Sequence, residues 1–299
     1  MDADQGSVAA ADHAMRHWSA PQSGTIAIGT QAHKELFCRM LLETHNPYKP
    51  AVIQWPALSA QALQRVTSLP VWDIAVQTEG RASVRVRAFA ETVDEALLRE
   101  ALDMDAAEEA RHKEVLSTMV AAYGIELAPE PRYAPPKDPE WAWLVTGYSE
   151  CIDSFFAFGL FELAERSGFF PAELVDTFEP VMQEEARHIL FFVNWAAWYR
   201  RNLPWWRRPG FLLKTLRVWA FLVWERIGIA RGLDEQGDMQ DANFAVTGSQ
   251  QVGGDVRVRE LLELCLTENE RRMAGYDERL LRPSVVPFFV RVARRFMPR

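Results

Sequence analysis

Apolar residues recur at three- and four-residue intervals through the centre of this chain, and those intervals predict four long helices. The first covers SLPVWDIAVQTEGRASVRVRAFAE, with Ser68 as N-cap, Pro70 in the first turn and Asp73 at the positive end of the helix dipole. Within it SVRVRAF alternates as a strand would, and Gly80 weakens the helical pattern. Thr92 and Glu95 have the Thr-x-x-Glu spacing of a capping box; they open the second helix, which closes at Gly124. IELAPEPRYAPPKDPE, with five prolines in sixteen residues, is an extended connection. The third helix, from WAWLV, stops at Ser167-Gly168. The fourth starts at Pro171 or Pro180 and runs to Asn202, ahead of Pro204. Two short turns and one long connection between four helices spell an all-α four-helix bundle with one long crossover.

The flanks divide the chain further. Residues 1–24 read as a flexible leader, and 25–67 as an N-terminal helical extension that includes QAHKELFCRMLLET. The bundle occupies 68–202. Residues 203–299 form a C-terminal helical extension packed on it: a Trp-rich amphipathic segment, a polar loop (Asp234–Asp255), a helix near Val256–Leu281 and a basic tail. Length and a 48% apolar content suit a sizeable soluble core. A net charge of −8, without a dense basic stripe in the first two hundred residues, argues against nucleic acid. Cys38, Cys151 and Cys265 match no zinc spacing, and their odd number suits free thiols in a reducing compartment. The acidic N-terminus has no apolar signal core, and the most apolar run is broken by Lys214, Arg217 and Glu225. The expected location is the cytoplasm.

One motif changes the picture. Glu-Glu-Ala-Arg-His occurs at Glu108–His112 and again at Glu184–His188, on the second and fourth helices. Glu109 and His112 share a helix face, as do Glu185 and His188, and each pair can grip a transition metal. Two such helices, with one carboxylate from each remaining helix, make a two-metal cage. Residues level with each other in a helical hairpin lie equally far from its turn. The midpoint of Glu79 and Glu109 is residue 94, inside the turn, so Glu79 fits and Glu91 does not. The midpoint of Glu150 and Glu185 falls between Ser167 and Gly168, which favours Glu150 over Glu165 and leaves Glu162 in reserve. Glu35 and Glu43 are weaker candidates for the first hairpin. His33 and His45 read as surface or core histidines, Tyr148 points off the ligand face, and Asp153 is a polar neighbour or a packing contact.

Residues 68–202 resemble the ferritin-like di-iron carboxylate proteins, and the full EEARH pattern is similar to the motifs of the multicomponent monooxygenases and acyl-carrier-protein desaturases. The resemblance implies that Glu108 hydrogen-bonds His188, that Glu184 hydrogen-bonds His112, and that Arg111 and Arg187 support those two acids. It also implies two iron ions on Glu79, Glu109, His112, Glu150, Glu185 and His188, with manganese or a mixed pair as alternatives.

Three functions are open: an O2-activating oxidase or oxygenase acting on a small organic substrate, with a hydrophobic one as a hypothesis; iron or peroxide handling as in ferritins and rubrerythrins; and a bundle that binds metal without turnover. Some hundred residues after the bundle and sixty before it favour the first, as a substrate-enclosing enzyme would use them. No Cys-x-x-Cys pair is present for a rubredoxin-like centre, so electrons would come from a separate reductase. NLPWWRRPGFLLKTLRVWAFLVWERI and PSVVPFFVRVARRFMPR read first as core or homodimer contacts, and second as a membrane surface.

Overall fold

The computed structural model describes residues 10–69, 71–230 and 257–297. Every regular element among them is helical. Pro70 and the loop from Asp234 to Asp255 lie outside the described residues. The helices are α1 (Gln31–Glu43), α2 (Ala60–Thr67), α3 (Trp72–Ala90), α4 (Ala96–Ala122), α5 (Pro139–Arg166), α6 (Ala172–Asn202), α7 (Arg208–Ala230), α8 (Val258–Met273) and α9 (Val285–Arg295). None of these is long and apolar enough to cross a membrane.

The four long helices α3–α6 are the four expected from periodicity, but two of the expected caps are not used. Ser68 ends α2 instead of starting α3, its hydroxyl donating to the Arg65 carbonyl, and Val71 precedes α3 without a side-chain cap. Thr92 Oγ1 turns back to the Phe89 carbonyl of α3. Glu95 itself caps α4, its carboxylate accepting from Leu98 N at 2.7 Å while Lys34 holds its other oxygen at 2.9 Å. In both cases the hydroxyl serves the end of one helix, where carbonyls lack partners, and not the start of the next. SVRVRAF is helical throughout. Gly124 and Gly168 take positive φ, 65° each, and end α4 and α5 as expected; α6 starts after Pro171, leaving Pro180 inside it.

Two apolar clusters reveal how the helices run. One joins Trp72, Val115, Met119, Leu174 and Phe178; the other joins Phe89, Leu102, Trp143, Leu190 and Trp195. The start of α3, the end of α4 and the start of α6 therefore share one end of the bundle. The end of α3 and the starts of α4 and α5 share the other. Helices α3 and α6 run one way, α4 and α5 the opposite way, so the connection from α4 to α5 must travel the length of the bundle. Fifteen extended residues reach about 45 Å at ~3.1 Å each, which matches a helix of α5's length. Gly80 lets this strap lie close: a Cβ there would stand 2.9 Å from the Tyr133 ring. The residue that weakened the helical pattern is thus small for tertiary reasons.

Helix α1 packs across α4 and α6, and α7 and α8 pack on α5. Helix α8 approaches α5 at Gly159, where a Cβ would lie 2.7 Å from Cys265 N. The expectation of a flexible leader fails for residues 10–20. Met15 is fully buried, Arg16 pairs with Glu179 at 3.0 Å, and Ala20 N donates to Asp277.

Candidate metal centre

Between the two apolar clusters lies a polar layer. Helices α4 and α6 each present their Glu-Glu-Ala-Arg-His face inward, and Glu108, Glu109, His112, Glu184, Glu185, Arg187 and His188 are all buried. Donor atoms of Glu109, His112, Glu185 and His188 lie within 4.8 Å of one another, a group able to hold a metal ion.

The two halves are cross-linked. His112 Nε2 meets Glu184 Oε2 at 2.8 Å, and His188 Nε2 meets Glu108 Oε2 at 2.8 Å. Arg111 donates to Glu184 at 2.6 Å, and Arg187 donates to both oxygens of Glu108 at 3.0 Å. Each arginine thus supports the acid of the opposite helix. On the inner side, His112 Nδ1 lies 3.1 Å from Glu185 and 3.7 Å from Glu79, and His188 Nδ1 lies 2.8 Å from Glu109. Ser154 Oγ donates to Glu185 Oε2 at 2.8 Å.

This geometry assigns the ring protons. Each Nε2 faces a carboxylate at hydrogen-bond distance and so carries the hydrogen, leaving the neutral ring's lone pair on Nδ1. Neither Nδ1 finds a hydrogen-bond partner, nor does Glu109 Oε1 or either oxygen of Glu150, although all are shut away from solvent. A lone pair facing a carboxylate at 3 Å is repulsive unless a cation stands between them. In the metal-free protein a proton takes that place. Burial works to lower both histidines, but Glu184, Glu185 and Glu79 outweigh it at His112, and Asp105, Glu108 and Glu109 at His188, so both are raised well above their ordinary range. Burial, then Glu79 and Glu185, push Glu109 up; burial, then Glu109 and Asp105, push up Glu150. Burial also acts to raise Glu108, but Arg187 and the His188 and His45 hydrogen bonds hold it well below the carboxylate range.

The donor set fits a metal ion. Seven carboxylates (Glu79, Asp105, Glu108, Glu109, Glu150, Glu184 and Glu185) share the layer with only two guanidiniums, those of Arg111 and Arg187. Isolated buried anions are costly, and such groups are found paired or on metals. A bound metal cation would offset part of that excess of acids.

Of the other candidates, Glu79 and Glu150 line the cavity beside Glu109 and Glu185. Glu162 pairs with Arg166, Glu165 is exposed, Glu35 accepts from Gln31 and Glu43 from Arg39, all outside the layer. His33 is buried against Asn194, Tyr148 packs on Phe192, and Asp153 takes Arg226 at 2.6 Å.

Sequence reasoning missed two features. Residues 44–48 close the layer from α1. His45 Nδ1 lies 2.6 Å from Glu108, Tyr48 Oη donates to Glu184, Thr44 Oγ1 accepts from Arg187, and the Asn46 carbonyl accepts from Arg111. No local pattern announces contacts across sixty or more residues. The second is Asp105, fully buried one turn before Glu109, which the four-residue spacing did advertise.

A cavity of about 210 Å³ opens from the carboxylates between α3 and α5. Glu79, Glu109, Glu150 and Glu185 supply its acidic side; Ala75, Ala82 and Ala157 leave room; Trp72, Leu174 and Phe178 form its apolar end. No protein-family model, curated protein or solved structure gives a significant match to the chain.

Proposed function

We propose that the protein is an O2-activating dinuclear-metal oxidase or oxygenase of the ferritin-like class, acting on a hydrophobic organic substrate held in the cavity between α3 and α5. The observation that carries this reading is the buried group of Glu109, His112, Glu185 and His188, whose donor atoms lie within 4.8 Å of one another, beside an apolar chamber. Glu109, His112, Glu185 and His188, with Glu79 and Glu150, would hold two irons, or manganese in one or both places. When bound, the metals supply the electrons and Lewis acidity for dioxygen reduction.

The chain's own groups set the stage for that chemistry. Glu108 and Glu184 hold the Nε2 protons of His188 and His112, which commits each Nδ1 to the metal and raises its basicity. Arg187 and Arg111 hold those two acids in place. Ser154 occupies one oxygen of Glu185 and turns the other toward His112. The apolar walls exclude water and position an aliphatic or aromatic group beside Glu79, Glu109 and Glu150. A cavity of 150 Å³ accommodates benzene, so this one has room for about eight carbons. Electrons come from a separate reductase, since the chain has no Cys-x-x-Cys pair.

The test has two stages. Anaerobic ferrous loading and desalting should leave about two irons per chain in the wild type and a clear loss in Glu109→Ala/Glu185→Ala. The loaded protein is then exposed to labelled dioxygen with a chemical reductant and medium-chain aliphatic compounds, and products are read by mass spectrometry. Label in an organic product supports the oxygenase reading, and desaturated product the oxidase. Mineralised iron with no organic product would replace it with iron handling. A wild type that retains no metal would overturn the centre itself.

A further inference from the structure

We propose that Asp105 is an additional metal-ligating residue, which makes the His188 half of the centre richer in carboxylate than the His112 half. This rests on the dinuclear reading above. Asp105 lies on α4 one turn before Glu109 and shares its face. Its side chain is fully buried, neither oxygen has a hydrogen-bond partner, and Oδ1 is 3.9 Å from His188 Nδ1, on the ring edge that also faces Glu109.

A purely structural acid in that place would need a donor or a cation. The two guanidiniums of the layer are committed elsewhere, Arg187 to Glu108, Thr44 and Leu41, and Arg111 to Glu184 and Asn46. The imidazole N–H of His188 goes to Glu108. What remains for Asp105 is the space in front of His188 Nδ1, where a metal would stand. Glu150, whose oxygens are likewise unpartnered, stands near Glu109, Asp105, Glu185 and His188. Among the described residues, the acids beside His112 Nδ1 are Glu185 and the partly exposed Glu79. Hard carboxylate oxygens favour manganese and iron over softer ions, so the His188 half is the tighter and first filled.

The experiment is an anaerobic titration of the full chain with Fe(II) and, separately, Mn(II), read by calorimetry and electron paramagnetic resonance. Wild type should show two unequal sites. Asp105→Asn should weaken the tighter one about 10–100-fold, the range for lost support at a metal site, and leave the other within about 2-fold. Asp105→Glu should restore part of the affinity. The metal-free Asn variant should melt close to wild type, because it keeps the shape of Asp105 and breaks no hydrogen bond. Unchanged affinities and an unchanged manganese spectrum in Asp105→Asn would overturn the assignment while leaving the dinuclear centre standing. Weakening of both sites with a lower metal-free melting temperature would mark Asp105 as structural and also overturn it. No metal in the wild type would remove both readings.

A separate observation concerns α7. The helix is apolar on both faces. Phe211, Val218 and Leu222 are buried, while Leu212, Leu213, Leu216 and Val223 on other faces are about half exposed, with Trp205, Trp206 and Trp224 at 75%, 64% and 66%. In a chain of net charge −8, residues 200–224 carry five arginines (Arg200, Arg201, Arg207, Arg208 and Arg217) and no acid, besides Lys214, which Asp138 and Glu140 hold at 3.1 and 2.6 Å. Exposed indoles and aliphatic side chains among arginines match the boundary of an anionic bilayer, where apolar groups enter the acyl region and cations meet phosphate. We infer that α7 docks on anionic phospholipid without crossing it, a location suited to an apolar substrate.

Co-sedimentation with vesicles tests this. Wild type should pellet with vesicles containing about one-third phosphatidylglycerol, much less with pure phosphatidylcholine, and less again in high salt. Trp205→Ser/Trp206→Ser/Trp224→Ser should lose most of that binding and keep its metal content. Equal recovery of variant and wild type would refute it. So would a dimer in solution that the triple substitution dissolves, since the face would then belong to a second copy.

Discussion

Removing the Arg187 guanidinium isolates the electrostatics of the polar layer from any metal. Arg187 is fully buried and donates to both oxygens of Glu108, to Thr44 Oγ1 and to the Leu41 carbonyl. Arg187→Met keeps most of the apolar stem and deletes the charge. Glu108 is then left in the interior with His45 and His188 as its remaining hydrogen-bond partners, and breaking a buried pair in this way costs about 3–5 kcal/mol. For a chain of this size that is a fall of about 5–8 °C in melting temperature. The measurement is urea unfolding of the metal-free protein followed by circular dichroism, so that metal affinity contributes nothing. Adding Glu108→Gln in the variant background removes the stranded charge and should recover about 2 kcal/mol, a coupling typical of residues in contact. A loss below about 1 kcal/mol, or two substitutions that add within about 0.5 kcal/mol, would refute the view that this pair holds the layer together.

Other consequences are independent of that pair. Gly147→Ala places a methyl against the Phe192 ring, with no room on the α5–α6 contact, and should cost about 1–3 kcal/mol by chemical denaturation. Arg279 hydrogen bonds lower the Asp277 carboxyl from 3.8 to about 2, against the effect of burial. Its stabilisation is therefore complete above pH 4 and lost as pH falls through 2. Asp277→Asn should cost about 1–2 kcal/mol near neutrality, and its unfolding curve should converge on that of wild type between pH 4 and 2. Ala157→Phe fills the cavity from α5 and should weaken n-octanol binding, measured by calorimetry, by about 10-fold or more while iron content stays unchanged. Tyr48→Phe removes one hydrogen bond to Glu184 and should cost about 1 kcal/mol of stability, with Glu184 still held by Arg111.

Much of the bundle was legible in one dimension because helices are local objects. Apolar periodicity marked α3 to α6, Gly124 and Gly168 closed two of them, and equal distance from a turn placed Glu79 and Glu150 at the level of Glu109 and Glu185. The resemblance of the duplicated EEARH to di-iron motifs implied cross-linking acids, and the geometry pairs Glu108 with His188 and Glu184 with His112. What remained hidden depends on contacts between distant residues. Ser68 and Thr92 had the residue type of caps, yet which helix end a hydroxyl serves is settled only by the path of the chain. His45 reaches Glu108 across 63 residues and Tyr48 reaches Glu184 across 136, so nothing near either residue foretells it. Composition placed residues 10–20 in a leader, while Tyr276, Asp277 and Glu179 hold them on the bundle. Whether the apolar residues after Asn202 are core or surface was undecidable from pattern, because a helix apolar all round satisfies either. The sequence by itself determined the helices, their order and the chemistry of two of their faces, since each follows from neighbours within a turn or two. Only the tertiary structure decided which buried groups go without partners and which apolar faces meet solvent, because both are properties of what packs against a residue from elsewhere in the chain.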